Sequence, residues 1–147
     1  MTERRYDDRG NTVEVLRYDA TGVTLLNRTV SGYSYYPGTD NPSNVVVETL
    51  DPAGNVLSRS ATAYSRHDAG TANADDDIYT LISEKTWLAT NAYAETLYVY
   101  DTNTWLLSEV RELADAPSVY RTVASYAYDA NGRVTLAADA LTNTLAA

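Results

Sequence analysis

The sequence predicts an all-β chain: consecutive antiparallel β-hairpins forming a curved, open repeat sheet. Three observations carry that expectation. Asp-x-x-Gly occurs four times, at 7–10, 19–22, 51–54 and 129–132, where random placement of 13 aspartates and 7 glycines would give about 0.6. The segments between these turns hold β-branched residues and tyrosine, with stretches of period-2 alternation. Finally, there are 13 tyrosines, 2 tryptophans and no phenylalanine. Tyrosine suits a surface that is apolar at the ring and wet at the hydroxyl, so it fits a broad sheet facing water better than a closed core.

The turns are predicted from local chemistry. Aspartate opens a type I turn because its carboxylate can accept from amides two residues on, and glycine three positions later suits the left-handed backbone. Tyr128-Asp129-Ala130-Asn131-Gly132 is the clearest copy. Tyr6-Asp7 with Gly10, Tyr18-Asp19 with Gly22, and Leu50-Asp51 with Gly54 repeat it. Two degenerate copies put threonine in the glycine position, after Tyr100-Asp101 and after Asp139.

Along the chain, residues 11–18 alternate without a cleanly polar face, as expected of a sheet contacted on both sides. Residues 23–30 read as a strand. Residues 31–44, rich in Tyr, Pro, Gly and Asn, read as a loop, and 45–50 as a strand entering the Asp51 turn. A strand over 56–64 precedes a long exposed loop, 65–77, at a hairpin tip. Strands follow at 78–88 and 96–100. Leu106, Val110 and Leu113 fit a helical spacing, but their place after a turn favours a strand. Asp115 to Ser118 reads as a turn, and Tyr120, Thr122, Ala124, Tyr126 and Tyr128 fall on one face of a final long strand.

The reiterated Tyr-Asp-x-x-Gly between tyrosine-rich strands resembles the YD repeat of Rhs proteins, insecticidal toxin complexes and teneurins, most closely over 126–145. The scattered motifs run from residue 6 to 145, with no clear copy in 58–95. The resemblance implies a repeat wall that winds into a hollow shell around a toxic polypeptide. Its implied partners are further YD-repeat segments or another shell chain and the enclosed toxin, at the cell surface or outside the cell. At 147 residues the chain would supply one wall segment, residues 1–147, and not a closed cavity or an effector domain.

Composition narrows the function classes. A formal charge of −9, with no basic cluster beyond Arg4-Arg5, argues against nucleic acid as a partner. No run of 18 apolar residues predicts a membrane span, and no apolar segment follows the N-terminal arginines as a secretory signal would require. No cysteine is present for disulfides or thiolate metal sites.

Each candidate for chemistry has a blander reading, which we favour. His67, the only histidine, with Ser60 or Ser65 and Asp68, lacks the Gly-x-Ser-x-Gly elbow and reads as a solvated loop residue. Asp75, Asp76 and Asp77 lack the Asp-x-Asp-x-Asp-Gly frame of a calcium loop and read as an acidic surface. The turn aspartates read as turn formers rather than acid–base pairs. No catalytic, cofactor or metal residues are therefore assigned. Tyr33, Tyr35, Tyr36 and Trp105 carry the main alternative, a glycan- or receptor-contact surface; the blander reading is aromatics covering hairpin ends.

Overall fold

Eleven strands lie in strict sequence order in one open antiparallel sheet in the computed structural model. The structure describes residues 1–115, 118–139 and 144–146, with Asp75 and the last three residues described through their backbone alone. The strands are β1 (Thr2–Tyr6), β2 (Thr12–Tyr18), β3 (Leu25–Tyr35), β4 (Pro42–Leu50), β5 (Val56–His67), β6 (Ile78–Ala89), β7 (Ala92–Tyr100), β8 (Leu107–Asp115), β9 (Val119–Tyr128), β10 (Val134–Asp139) and β11 (Thr144–Ala146). The only helical turn among the described residues is a single 3-10 turn, Ala74–Asp76. The all-β class and the succession of hairpins are those the sequence predicts.

One layer cannot bury much. Leu16 and Leu50, each 8% exposed, are the only buried apolar residues among those described. The accessible surface is 9567 Å² for 16.1 kDa, whereas a compact monomer of that mass would expose about 7400 Å². Stability therefore rests on the hydrogen-bond ladder and on cross-strand side-chain pairs.

Those pairs sort onto two faces. Arg5 opposes Glu14, Glu48 opposes Arg59, and Lys85 opposes Glu95, all on one face. Their N···O distances are 2.8, 3.4 and 3.3 Å, and Arg28 adds a second contact to Glu14 at 3.6 Å. The opposite face through the sheet centre carries Thr29, Val45, Val47, Thr49 and Thr62, with the Thr29 and Thr49 hydroxyls 3.4 Å apart.

Three expectations are corrected. Ser31–Tyr35 and Pro42–Asn44 are strand, so the predicted 31–44 loop shrinks to 36–41. Pro37 and Gly38 (φ 75°) reverse the chain as a type II turn, closed by Thr39 N–H donating to the Tyr36 carbonyl at 3.1 Å. The predicted 65–77 loop begins at Asp68, because Ser65, Arg66 and His67 pair with Thr80, Tyr79 and Ile78. The single face predicted for Tyr120 through Tyr128 is broken at Val123: Thr122 opposes Arg111 but Ala124 opposes Val110. That extra residue is a β-bulge, and it moves Ala124, Tyr126 and Tyr128 to the face opposite Tyr120 and Thr122. The stretch 107–115 is strand throughout. Residues 116–117 of the predicted Asp115 turn and 140–142 of the turn after Asp139 lie outside the described residues; Asp139 itself ends β10.

Candidate functional site

The sheet's distinctive chemistry lies in its turns. At Asp7, Asp51 and Asp129 the aspartate N–H donates to the carbonyl four residues on at 2.9 Å, and the glycine N–H donates back to the aspartate carbonyl at 3.0–3.2 Å. The carboxylate accepts from the amide four residues on: Asn11 at 2.7 Å, Asn55 at 2.8 Å and Arg133 at 2.9 Å. Gly10, Gly22, Gly54 and Gly132 have φ between 74° and 92°, the left-handed residue of a type I turn plus bulge. The residue before each aspartate, Tyr6, Tyr18, Leu50, Tyr100 and Tyr128, sits at a one-residue register shift for that reason.

Two turns depart from this geometry. Asp19 and Asp101 donate to the carbonyl five residues on, Thr24 and Leu106, each at 2.9 Å. After Asp101 the left-handed residue is Trp105 (φ 58°), one position beyond the threonine that fills the glycine place. Thr104 stays out of that conformation, which its β-branched side chain resists. Its amide and hydroxyl donate to the Asp101 carboxylate at 2.8 and 2.9 Å.

These contacts make several turn carboxylates more acidic, lowering their pKa values below the ordinary 3.8. Asp19 falls to about 2, chiefly through the Thr21 hydroxyl. Asp51 is lowered by the Asn55 side chain and amide, and Asp101 by the Thr104 amide and hydroxyl. At Asp7 burial acts upward but is outweighed by the Tyr35 hydroxyl and by Asn11.

Turns at one end of the sheet are tied to one another. The Tyr35 hydroxyl donates to Asp7 Oδ2 at 2.8 Å and accepts from Asn11 Nδ2 at 2.7 Å. The Arg9 guanidinium covers the Tyr35 ring at 3.9 Å and donates to the Thr39 carbonyl at 3.0 Å. Tyr33 donates to the Thr12 carbonyl at 3.2 Å, and Tyr36 to the Tyr64 carbonyl. Tyr36 also meets Tyr79, ring centroids 5.8 Å apart. The hydroxyls of all three candidate contact tyrosines thus already have protein partners.

Trp105, the fourth candidate, lies against His67. The expectation of a solvated loop histidine is corrected: His67 ends β5, and its Nε2 is bonded to Thr80 Oγ1 at 2.8 Å. The loop it precedes is also anchored. Asp77, its side chain 1% exposed, accepts from the Ala69 amide and from Arg66 Nε, and these two contacts, the amide first, outweigh burial and hold its carboxyl below the usual range. The acidic-surface reading is therefore wrong for Asp77, while Asp76 is exposed and accepts from the Thr71 hydroxyl at 3.1 Å.

On the charged face, Glu95 is a hub. It accepts from Ser83 at 2.8 Å and from Tyr120 at 2.7 Å, and pairs with Lys85. Burial pushes its carboxyl up, but Tyr120, Ser83 and Lys85 together hold it down. Lys85 lies 4.1 Å from the Tyr93 ring centre, and Arg59 lies 4.5 Å from that of Trp87. Sequence reading missed this cluster, because Lys85 and Glu95 become partners only once the register is known. Among the described residues no group of three or more His, Asp or Glu side chains is placed to hold a metal ion, and no helix is long and apolar enough to cross a membrane. No protein-family model and no curated protein matches the chain.

Proposed function

We propose that the chain is a non-catalytic wall segment of a YD-repeat shell that encloses or presents a toxic polypeptide. The observation that carries this reading is the single open layer: eleven strands in sequence order whose accessible surface exceeds that of a compact protein of its mass. Such a layer is suited to separating two spaces. The turn geometry shared by Asp7, Asp51 and Asp129 supports a repeat unit that adds one hairpin at a time. In this reading Glu95 and the turn aspartates work as pins that hold strands and turns in register.

Electron microscopy of the native product, captured through an epitope within this segment, tests the proposal. A hollow, sheet-walled particle is expected. A compact particle without an interior, or a hydrolytic activity abolished by Glu95→Gln in a folded variant, would refute it.

A further inference from the structure

The ladder between β5 and β6 stops before the strands do. Its last pair toward the 51–55 and 90–91 turns is Ser60 with Thr86. Beyond it the arm 56–59 stays in register with β4, and the arm 87–89 with β7. No register pair joins the two arms among the described residues. In an antiparallel ladder alternate residues direct their N–H and C=O groups to opposite neighbours. Each arm therefore turns part of its backbone toward the opening, where no strand meets it.

Three similar openings in the sheet are closed by tyrosine. The β2–β3 ladder stops at Glu14 with Val30, and Tyr33 donates to the Thr12 carbonyl at 3.2 Å. The β4–β5 ladder stops at Asn44 with Ala63, and Tyr36 donates to the Tyr64 carbonyl. The β8–β9 ladder stops at Glu109 with Ser125, and Tyr128 donates to the Leu107 carbonyl at 2.8 Å. Among the described residues no tyrosine lines the β5–β6 opening, which is a cleft of about 390 Å³. Arg59 lies 4.5 Å over Trp87 at its neck. At its lips stand Leu57 (62% exposed) and Leu88 (73%). Each is the extra residue at its own hairpin's register shift.

We propose that this opening is a docking site for a short extended peptide, which enters as a strand between the two arms. Backbone chemistry selects the occupant, since an extended chain offers N–H and C=O groups on both of its edges at the strand repeat. The arms, 56–59 and 87–89, are four and three residues long, so the site grips three to four residues of the partner. Its side chains facing the lips are aliphatic, because they cover Leu57 and Leu88. Those gripped residues are uncharged. Arg59 is already matched by Glu48 at 3.4 Å, and a further charge would be desolvated without a partner. The site does not depend on the shell reading, and any partner that presents such a segment would fit it.

Nuclear magnetic resonance on the intact chain tests this with acetylated, amidated hexapeptides in which threonine alternates with valine, isoleucine, leucine or tyrosine. With at least one of them, amide shifts are expected to saturate at residues 56–59 and 87–89, and hydrogen exchange there to slow at least about tenfold. The same peptide with its amides N-methylated cannot donate, and should bind at least about tenfold more weakly. Leu57→Asp and Leu88→Asp should each weaken binding to a similar degree, while Ile78→Asp at the far end of β6 leaves it unchanged. All three positions are exposed, and circular dichroism verifies that the variants fold. No perturbation by any of the four peptides at millimolar concentration would overturn the proposal. So would shifts confined to β1, which assign the pairing to an outer strand. Equal binding of the N-methylated peptide would also overturn it, since recognition would then not involve the peptide backbone.

Discussion

The Trp105 indole stacks on the His67 imidazole, ring centroids 3.8 Å apart and planes 28° from parallel. This contact joins the end of β5 to the β7–β8 turn, across the intervening strand β6. It also accounts for a bulky residue at φ 58°: the left-handed backbone carries the ring to His67, and the stack offsets the strain. Trp105→Ala is expected to lose the stack and keep the strain, destabilising the sheet by about 1 kcal/mol in urea unfolding. Trp105→Gly, free of the strain, should lie between Ala and wild type. Equal midpoints for wild type and the Ala variant would show that the stack contributes nothing.

The glycine turns test the same backbone argument in reverse. At Gly132 (φ 76°) a Cβ would lie 3.7 Å from the Leu106 side chain, an ordinary contact, so Gly132→Val acts through backbone strain. It should cost about 1 kcal/mol or more. Gly54 (φ 92°) has open space around it, so Gly54→Asn should cost less than Gly54→Ala, because asparagine tolerates the left-handed region. Denaturant midpoints of the three variants decide this, and an unchanged Gly132→Val midpoint would remove the strain argument.

How much of this was legible follows from the range of each interaction. The Asp7, Asp19, Asp51 and Asp129 turns close within five residues, so their chemistry is written in consecutive positions. The 36–41 turn was hidden because tyrosine opens it and Pro37-Gly38 supplies the reversal. The Asp101 turn was read one residue short, since nothing local marks Trp105 as left-handed. The charged face could not be read at all: Arg5–Glu14 and Lys85–Glu95 depend on register, and a one-residue slip moves every side chain to the other face. The bulge at Val123 is such a slip. Asp77 looked like surface because its partner Arg66 lies 11 residues away across a hairpin.

That last pair predicts a local effect. Arg66→Ala removes the guanidinium that meets a nearly inaccessible carboxylate, leaving Asp77 with the Ala69 amide. Limited proteolysis should then cut within 68–77 sooner than in wild type, while the rest of the sheet resists. Identical cleavage rates would show that the ion pair does not anchor the loop.

Acid should loosen the turns. Asp7, Asp19, Asp51, Asp77 and Asp101 all have folded-state values below the ordinary 3.8, with Asp19 at about 2. Below the ordinary value the unfolded chain binds more protons than the folded chain, so this stabilisation is complete above about pH 4 and lost as pH falls toward 2. Urea midpoints should decline across that window, and Asp19→Asn should flatten the decline. A midpoint independent of pH from 4 to 2 would contradict the carboxylate contacts.

Alkali should act on the opposite class of group, and through one identifiable bond. Tyr98 and Tyr120 are each pushed up to about 12, first by donating to Glu84 and Glu95 respectively and then by burial. A folded value above the ordinary 10 means that the stabilisation is complete below pH 10 and lost as pH rises toward 12. Tyr120 in β9 reaches Glu95 in β7 across the whole of β8, so this bond couples three strands. In a double-mutant cycle Tyr120→Phe and Glu95→Gln should therefore couple by about 1 kcal/mol at pH 7. The coupling should shrink above pH 11, where the unfolded tyrosine is ionised and the bond must compete with loss of its proton. Tyr98→Phe, whose partner Glu84 lies on the other face and the adjacent strand, should show no coupling to Glu95→Gln. Additive effects for Tyr120 and Glu95 would mean that the sheet holds its register without this bridge.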